Sequence, residues 1–321
     1  MGVPPVRVAV LDDYQGVALS SADFSPLAGK ADIVTFPDHS ADPDELAERL
    51  ADFAVVVAMR ERTAFPADLL DRLPKLRLLV TTGMANRSID ITAAQARGIP
   101  VCGTRILNAA TSEFTWALIL AVTRNLPREE AALRAGRWQT TIGPELAGRT
   151  LGILGLGTIG QAVTRYARAF DMRILAWSQN LTQDTAAEHG AELVTKQQLF
   201  ERSDIVSVHV QLSPRTRGLV GAAELAALGP HGYLVNTSRG PIVEEAALVD
   251  ALQSRTIAGA ALDVFDVEPL PADHPLRHTP NTVLTPHLGY VAHRAYACFF
   301  TDVVEDILAW LHGSPVRELG G

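Results

Sequence analysis

A glycine pattern near the middle of the chain constrains its fold more than any other feature. Gly155, Gly157 and Gly160 follow one another in G-x-G-x-x-G order, directly after the apolar run Leu151–Leu154. An amphipathic helical pattern comes next, and Arg173–Trp177 then has the composition of a second strand. A strand, a glycine turn, a helix and a strand in this order predict a βαβ unit whose turn binds phosphate groups.

Each position of this turn requires glycine for a steric reason. Gly155 permits the tight turn, Gly157 leaves room for a pyrophosphate against the backbone, and Gly160 lets helix and strand pack closely. The backbone N–H groups at the start of the helix, at Thr158 and Ile159, are then expected to face the phosphates. Glycine-rich turns also occur where only close packing is needed, but the strands on both sides favour a dinucleotide site here.

Length and composition limit the classes of protein that the chain can belong to. Its 321 residues predict two domains, and 47% hydrophobic with 20% charged residues is typical of a globular protein. A net charge of -8 argues against nucleic acid as a partner, and no run of like charge suggests a membrane surface. No segment has the form of a signal peptide or reaches the roughly 18 apolar residues that span a bilayer, so a cytoplasmic location is expected. Cys102 and Cys298 form neither a metal-ligand spacing nor a disulfide framework, so neither is expected.

Short apolar runs alternate with helical patterns on both sides of the glycine unit. The first hundred residues predict a small parallel sheet with helices on both faces, and the residues after Trp177 continue a second such sheet. The segment Ala292–Leu311 has apolar residues at helical spacing, and we expect it to return to the first domain. The predicted fold class is α/β with two doubly wound parallel-sheet domains. The expected boundaries give a discontinuous domain of residues 1–102 and 288–321 around a domain of residues 103–287.

A long apolar segment between the two sheets suggests an interface. Asn108–Leu126 has a helical pattern rich in Ala, Leu, Phe and Trp, and a second helix is predicted over Arg128–Ala135. A helix that is apolar on most faces must be covered on most faces, either by its own domain or by another subunit. A homodimer is therefore expected.

Three later segments place unusual polar residues where predicted strands end. They are NTSRG at Asn236–Gly240, DVFDVEP at Asp263–Pro269 and TPHLGY at Thr285–Tyr290. Open α/β sheets bind their ligands at the carboxyl ends of the strands. These segments are therefore the candidates for a functional site.

The glycine turn and these segments together form an ordered set of motifs. GLGTIG, NTSRGPIVEEAAL, GAALDVFDVEP and LTPHLG resemble the D-isomer-specific 2-hydroxyacid dehydrogenase family, most strongly from Pro144 to Gly289. The resemblance implies a Rossmann dinucleotide-binding domain inserted in a discontinuous, flavodoxin-like substrate domain. It also implies an NAD(P)-dependent oxidoreductase that interconverts a 2-oxo acid and its (R)-2-hydroxy acid.

By this resemblance the family's catalytic residues fall on Arg239, Glu268 and His287. An arginine offers a rigid fork of donors to the carboxylate and carbonyl oxygens of a 2-oxo acid. A histidine titrates near neutrality and suits proton donation to the carbonyl oxygen, while a glutamate on its other ring nitrogen fixes the tautomer. Taken singly, an arginine in a loop is usually a solvated charge, and a glutamate before proline is often only a turn residue.

The resemblance also places a substrate loop at Gly83–Asp90, GMANRSID. In relatives the backbone N–H groups of this loop bind the substrate carboxylate, which suggests Met84 and Ala85. Arg60 falls near a further substrate position. Together with Arg87 it could favour a substrate with a second anionic group, and the alternative is two solvated arginines.

Two aromatic residues are weaker substrate-binding candidates. Trp138 matches an aromatic residue that some relatives insert into a neighbouring subunit's active site, and Tyr290 lies just after the catalytic histidine. Both are more often packing residues.

The cofactor contacts also come from the resemblance. Thr111 resembles a contact on the nicotinamide side, Asp263 resembles the acid that takes the carboxamide, and Thr237 is assigned to the same site.

The residues after the second strand of the βαβ unit leave the choice between NAD and NADP open. An acid there would bond the ribose 2′-OH of NAD, but the chain has Ser178, Gln179 and Asn180. The missing acid removes repulsion toward the 2′-phosphate of NADP, yet no arginine supplies attraction. The general habit of the family favours NAD, with NADP as the alternative.

Two other functions are consistent with the motifs. Formate dehydrogenases share this fold but pair the histidine with a glutamine, whereas Glu268 is an acid. Dinucleotide-sensing corepressors on the same scaffold keep the three catalytic residues, although the acidic chain has no obvious docking extension. Among the remaining histidines, His274 is expected to be structural. Five are expected at the surface: His39, His189, His231, His278 and His312.

Overall fold

The computed structural model describes residues 4–320 and divides the chain into two compact units. The first unit combines Met1–Leu107 with Ala292–Gly321, and the second unit is Asn108–Val291. The chain passes into the second unit after Leu107 and returns to the first unit at Ala292. Both points lie a few residues after the boundaries predicted at residues 102 and 287.

Within residues 4–320, the structure has twelve strands, and it has eleven helices that are at least five residues long. The strands are β1 (Val6–Val10), β2 (Ala31–Thr35), β3 (Val55–Ala58), β4 (Leu78–Thr81), β5 (Val101–Gly103), β6 (Thr150–Leu154), β7 (Arg173–Trp177), β8 (Glu192–Leu193), β9 (Ile205–Val208), β10 (Tyr233–Asn236), β11 (Gly259–Leu262) and β12 (Thr282–Leu284). The helices are α1 (Pro43–Leu50), α2 (Ala67–Asp71), α3 (Ile91–Ala96), α4 (Ala109–Thr123), α5 (Leu126–Arg134), α6 (Thr158–Ala169), α7 (Gln183–Glu188), α8 (Lys196–Arg202), α9 (Ala222–Leu228), α10 (Glu245–Gln253) and α11 (His293–Leu311).

The first unit is built on a five-stranded parallel sheet in the order β2-β1-β3-β4-β5. The central strands β3 and β4 are buried along their whole length, because helices cover both faces of the sheet. Helix α1 begins at Pro43 since the side chain of Asp42 accepts hydrogen bonds from the backbone of Asp44 and Glu45. The order of the strands is that of a flavodoxin-like sheet.

The second unit contains a seven-stranded parallel sheet in the order β12-β11-β10-β9-β6-β7-β8. The chain starts in the middle at β6, moves outward through β7 and β8, and returns to β9 on the other side. This reversal creates a crevice at the carboxyl ends of β6 and β9, where doubly wound sheets bind dinucleotides. The predicted fold class, with two doubly wound parallel sheets, is confirmed.

Helix α4 is covered largely by its own unit. It packs against α6 and against strands β10 and β11, and it buries Trp116, Leu118, Ile119 and Val122. The apolar character of this helix is thus explained without a second subunit. The strongly exposed apolar residues of this region lie farther along the chain, on α5 and just after it.

One histidine departs from the predicted pattern. His39 was expected at the surface, but its side chain is only 11% exposed, and Nδ1 lies 2.8 Å from Oδ1 of the buried Asp12. Thr63 donates to the other carboxylate oxygen of Asp12 at 2.8 Å. The surface prediction for His39 was wrong because its partner is distant in sequence.

Helix α11 carries two carboxylates into the interior of the first unit. Asp302 and Asp306 are both 0% exposed. Asp302 accepts hydrogen bonds from Arg105, whereas Asp306 Oδ1 lies 3.0 Å from the Arg317 guanidinium and Oδ2 has no partner among residues 4–320. Burial, helped by the charges of neighbouring carboxylates, raises the pKa of Asp306 to about 7 against the opposing effect of Arg317.

Because of this carboxyl group, we expect the free energy of unfolding to fall as the pH rises from about 4 to about 7. Over that range the unfolded chain has already released the Asp306 proton, while the folded chain still holds it, so raising the pH favours unfolding. Asp306→Asn cannot ionise and should lose this part of the pH dependence. Urea unfolding of both proteins at the two ends of the range measures it, and equal pH dependence in both would contradict the expectation.

Candidate active site

The glycine turn of the second unit joins β6 to α6 and has the shape that its sequence predicts. Gly155 has φ +106°, and a Cβ there would lie 2.8 Å from the backbone nitrogen of Val210. A Cβ at Gly160 would collide with the carbonyl oxygen of Gly155. Both positions therefore require glycine, whereas the position of Gly157 is open, with nothing within 4 Å.

The open position lies at the start of helix α6. Gly157 is the N-cap of this helix, and no side chain caps it. The N–H groups of Thr158 and Ile159 belong to the first turn, where a helix has donors without intrahelical partners and a partial positive charge. The turn therefore fits the pyrophosphate of a dinucleotide.

The end of β7 lies beside this turn, because Gly155 N donates to the carbonyl oxygen of Trp177 at 2.8 Å. Ser178 follows and is half-buried, while Gln179 and Asn180 are exposed. All three side chains are neutral. The structure thus places them where the adenosine ribose binds in a βαβ unit, without an acid or a base among them.

The loop that carries Arg239 follows β10 and is held by its own side chains. Asn236 is buried, donates from Nδ2 to the Arg239 carbonyl oxygen at 2.9 Å, and accepts from Ser238 N at 3.0 Å. Ser238 Oγ donates to the carbonyl oxygen of Val210 at 2.5 Å. These contacts fix the backbone of Arg239, whose side chain is partly exposed. This supporting role of Asn236 was not predicted from the sequence.

Helix α4 supports the same loop. Thr237 Oγ1 and Thr115 Oγ1 lie 2.7 Å apart, and Thr115 also donates to the Thr111 carbonyl oxygen at 2.8 Å. Thr111 lies beside Gly289, since a Cβ on that glycine would come 3.4 Å from its methyl group. The structure therefore brings Thr111 and Thr237, both predicted for the cofactor site, close to two of the three motif loops.

Glu268 and His287 form a pair. His287 Nδ1 lies 2.6 Å from Glu268 Oε2, and Phe265 N donates to Glu268 Oε1 at 3.0 Å. Burial raises the pKa of Glu268, but hydrogen bonding and the charge of His287, with a smaller contribution from Arg239, lower it below its ordinary value. The ionised carboxylate can only accept, so Nδ1 must carry the hydrogen and Nε2 is the free nitrogen of a neutral ring.

Backbone packing couples the Arg239 loop to the Glu268 loop. A Cβ on Gly240 would collide with the backbone of Phe265 and Asp266. Only glycine allows these two loops to touch at this point. Arg239, Glu268 and His287 lie on the loops that follow β10, β11 and β12, at one end of the sheet.

Asp263 holds the His287 loop in place through hydrogen bonds. It is 0% exposed, and its carboxylate accepts hydrogen bonds from Thr285 Oγ1 at 2.6 Å, Leu288 N at 2.7 Å and Gly289 N at 2.8 Å. These bonds flank His287, whose φ of +54° is unusual for a residue with a side chain. A contact between Asp263 and the nicotinamide carboxamide stays a prediction.

Tyr290 packs against His287. Its ring meets the His287 ring edge-on, with the centroids 5.3 Å apart, and the residue is buried. It therefore helps to orient the imidazole. A contact between Tyr290 and the substrate stays a prediction.

The predicted substrate loop belongs to the first unit and follows β4. Met84 is 45% exposed and Ala85 is also exposed, so this part of the loop lies at the surface. Arg60 lies against this loop, donating from Nη1 to the Thr82 carbonyl oxygen at 3.3 Å. Asn86 holds the two segments together by donating to the Arg60 carbonyl oxygen at 2.5 Å.

Trp138 lies in the second unit, after α5, and is 76% exposed. A contact between Trp138 and the active site of a neighbouring subunit stays a prediction.

Among residues 4–320, no helix is long and apolar enough to cross a membrane.

Comparison with known proteins identifies the family. Residues 116–289 match the model of the D-isomer specific 2-hydroxyacid dehydrogenase, NAD binding domain. The chain belongs to the D-isomer-specific 2-hydroxyacid dehydrogenase family. The family predicted from the motifs is confirmed, and the protein is an NAD(P)-dependent D-2-hydroxyacid dehydrogenase.

Three similar proteins span most of this dehydrogenase. A glyoxylate reductase of Korarchaeum cryptofilum is 37% identical, over 83% of this chain and 82% of the relative. The crystal structure of a phosphoglycerate oxidoreductase from Vibrio cholerae has a TM-score of 0.92 at 36% identity, over 96% of this chain and 100% of that one. An NADPH-dependent glyoxylate/hydroxypyruvate reductase from Sinorhizobium meliloti, solved with NADP and malonate, has a TM-score of 0.76 at 30% identity, over 99% and 97%.

Proposed function

We propose that this dehydrogenase reduces a small 2-oxo acid, with glyoxylate and hydroxypyruvate as the first candidates. The product is the 2-hydroxy acid, in the (R) form where its carbon is chiral. The names of similar reductases support the two substrates. The observation that carries the proposal is the 2.6 Å contact between His287 Nδ1 and Glu268 Oε2, at the end of the sheet that also carries Arg239.

Arg239 is the residue that binds and orients the substrate. Its guanidinium can give two parallel hydrogen bonds, one to the carboxylate and one to the carbonyl oxygen of a 2-oxo acid. The bonds of Asn236 keep the backbone of this residue in place before substrate arrives. The orientation of the carbonyl is thus set by a side chain whose loop is already ordered.

His287 and Glu268 move the proton. Because Nδ1 is committed to Glu268, the protonated ring donates its proton from Nε2 to the carbonyl oxygen, and the neutral ring takes it back in the oxidative direction. The negative charge of Glu268 stabilises the protonated ring. When bound, the nicotinamide supplies the hydride for reduction and accepts it for oxidation.

We expect Glu268→Gln to reduce kcat/KM near neutral pH by about tenfold to a hundredfold, because an uncharged amide stabilises the protonated imidazole less well than a carboxylate does. The alkaline limb of the pH profile for reduction should move to lower pH. At low pH the variant should approach the parent enzyme. A profile of kcat/KM from acid to alkaline pH checks this, and a uniform loss at every pH would contradict a role in proton transfer.

We propose NAD as the preferred cofactor. The residues after β7 are neutral, so a hydroxyl from Ser178 can meet the ribose, whereas a 2′-phosphate would find no cation among Ser178, Gln179 and Asn180. The phosphates are held by the glycine turn in either case.

Gln179→Arg is expected to raise kcat/KM for NADPH relative to NADH by at least about tenfold, because a charge-assisted hydrogen bond to the 2′-phosphate is worth about 1.5–3 kcal/mol. Gln253→Arg, on an exposed position of α10, adds the same charge elsewhere and serves as the control. Initial rates with both cofactors measure the ratio. An unchanged ratio in Gln179→Arg would place the adenosine ribose elsewhere.

We also propose a homodimer, with a cytoplasmic location as a further expectation. Leu133, Trp138 and Ile142 are strongly exposed, and they lie close together in sequence on and after α5. A cluster of large exposed apolar residues marks an interaction surface. Light scattering of the parent and of Trp138→Ser with Ile142→Ser tests the assembly.

Turnover is tested by a screen of 2-oxo acids. Glyoxylate, hydroxypyruvate, pyruvate and oxaloacetate are each mixed with NADH or NADPH, and formate with NAD, while the nicotinamide absorbance is followed. We expect oxidation of NADH with glyoxylate or hydroxypyruvate. Dinucleotide binding without turnover of any oxo acid would instead support a sensing protein, and formate-dependent reduction of NAD would support a formate dehydrogenase.

A further inference from the structure

Residues Val316–Leu319, here called the tail segment, lie antiparallel to β5 in the first unit. Gly103 N donates to the Arg317 carbonyl oxygen at 3.0 Å, and Leu319 N donates to the Val101 carbonyl oxygen at 2.8 Å. Strand β5 has three residues and stands at the end of the strand order of its sheet. The tail segment therefore pairs backbone groups that an edge strand would otherwise leave open.

Arg317 fastens the tail segment to helix α11. Its guanidinium donates to Asp306 Oδ1 at 3.0 Å, to Glu305 Oε2 at 2.9 Å and to the Asp302 carbonyl oxygen at 2.9 Å. The backbone of Arg317 has φ +53°, which is unusual for a residue with a side chain. Several contacts from one planar, charged group keep this part of the chain in a single position.

Thr104, the residue after β5, holds the first residue of the substrate loop. Its Oγ1 accepts from Gly83 N at 2.8 Å, and its own N–H donates to the Gly83 carbonyl oxygen at 3.3 Å. Both neighbours of Thr104 are fixed in turn, because Gly103 is bonded to the tail segment and Arg105 N donates to Asp302 Oδ2 at 2.7 Å. A continuous set of hydrogen bonds thus connects the tail segment and α11 to the substrate loop.

A side chain of the tail segment also reaches the loop. Leu319 is 7% exposed and belongs to the hydrophobic core of the first unit. A Cβ on Gly103 would lie 3.2 Å from Leu319 Cδ2, 3.1 Å from Met84 Sδ and 2.6 Å from the Gly83 carbonyl oxygen. The side chains of Leu319 and Met84 therefore converge over Gly103, where only a residue without a side chain leaves room for both.

We propose that Leu319 is a positioning residue for the substrate loop, and that Arg317 keeps it in place. The proposal rests on the proposed reduction of a 2-oxo acid, with the N–H groups of Met84 and Ala85 as donors to the substrate carboxylate. Leu319 itself touches no substrate. It keeps the loop in the geometry that the carboxylate needs, so its loss weakens substrate binding and leaves proton transfer intact.

Leu319→Ala is expected to speed hydrogen exchange of the Gly83 and Thr104 amides by about tenfold, because the lost side chain leaves a cavity and local opening becomes easier. NMR of the full-length protein follows both amides. KM for glyoxylate should rise by about threefold to tenfold, with kcat within about twofold of the parent and with unchanged NADH binding. Leu319→Met keeps the side-chain volume and should return both readouts toward the parent.

Leu76→Ala is the matched variant. Leu76 belongs to the same core and is 6% exposed, but it precedes β4, whereas the substrate loop follows this strand. Urea unfolding should show a comparable loss of stability in the two alanine variants, while Leu76→Ala leaves KM and the two amides as in the parent. If Leu319→Ala does not fold, Leu319→Val and Leu76→Val replace the pair.

Three results would overturn the positioning role of Leu319. They are unchanged exchange of the two amides in Leu319→Ala, equal acceleration in the Leu76 variant, and a KM that stays at the value of the parent. Turnover by the parent enzyme is measured first. Its absence would count against the 2-oxo acid reductase, and the exchange of the two amides would still decide whether the tail segment holds the loop.

Discussion

Replacing His287 by glutamine is expected to lower kcat for reduction of a 2-oxo acid by about a hundredfold to ten-thousandfold. Glutamine can still form a hydrogen bond to Glu268, but it has no group that exchanges a proton near neutral pH. The carbonyl oxygen would then have to take its proton from water. Steady-state rates with glyoxylate and NADH measure the loss, and fluorescence titration with NADH should show unchanged dinucleotide binding, because the glycine turn is untouched.

His274→Gln is a close control for this prediction. His274 also faces a glutamate, with Nε2 lying 2.9 Å from Glu245 Oε1, but its other nitrogen accepts a backbone hydrogen bond from Leu276. Both ring nitrogens are therefore used within the fold, and kcat should stay close to that of the parent. Equal losses in the two variants would show that His287 supports the structure and does not act on substrate.

Arg239→Lys is expected to reduce kcat/KM by about a hundredfold or more, with much of the loss in KM. Lysine keeps the charge but gives up the planar fork, so one of two charge-assisted hydrogen bonds, each worth about 1.5–3 kcal/mol, is lost and the carbonyl is no longer fixed in orientation. Saturation curves for glyoxylate measure kcat and KM separately. The binding of NADH alone should not change.

Arg277→Lys provides the comparison for this second prediction. Arg277 lies in the same unit and donates to the carbonyl oxygens of Pro271 and Leu270, so the exchange also removes a guanidinium from a loop. It should leave KM for the oxo acid unchanged. If Arg239→Lys behaved in the same way, Arg239 would be a loop residue and the substrate would be bound elsewhere.

The elements with strong local signals were predicted to within three residues at each end. Strand β7 has the predicted range Arg173–Trp177, and helix α11 begins one residue after the predicted Ala292 and ends at Leu311 as predicted. Strands β5 and β8 were not predicted, because they have three and two residues and a run that short has no period. Their conformation comes from hydrogen bonds to a neighbouring strand, which the local sequence does not reveal.

The candidate site was also predicted only in part. The motifs placed Arg239, Glu268 and His287 on loops at the carboxyl ends of strands, and the structure has them there. What the motifs did not reveal is how the loops are held. Gly240 touches a backbone 25 residues later in the chain, and Asp263 holds loop residues 22 to 26 positions away. Such supports depend on the folded sheet, since only the sheet brings these segments together.

The decisive measurement is a crystal structure of the dehydrogenase with NAD and oxamate, an unreactive analogue of a 2-oxo acid. The proposed function predicts that the oxamate carboxylate lies on the guanidinium of Arg239. It also predicts that the oxamate carbonyl oxygen is within about 2.6–3.2 Å of His287 Nε2, with Glu268 on Nδ1. Oxamate bound away from Arg239 and His287, with NAD in place on the glycine turn, would contradict the assignment of these residues to catalysis.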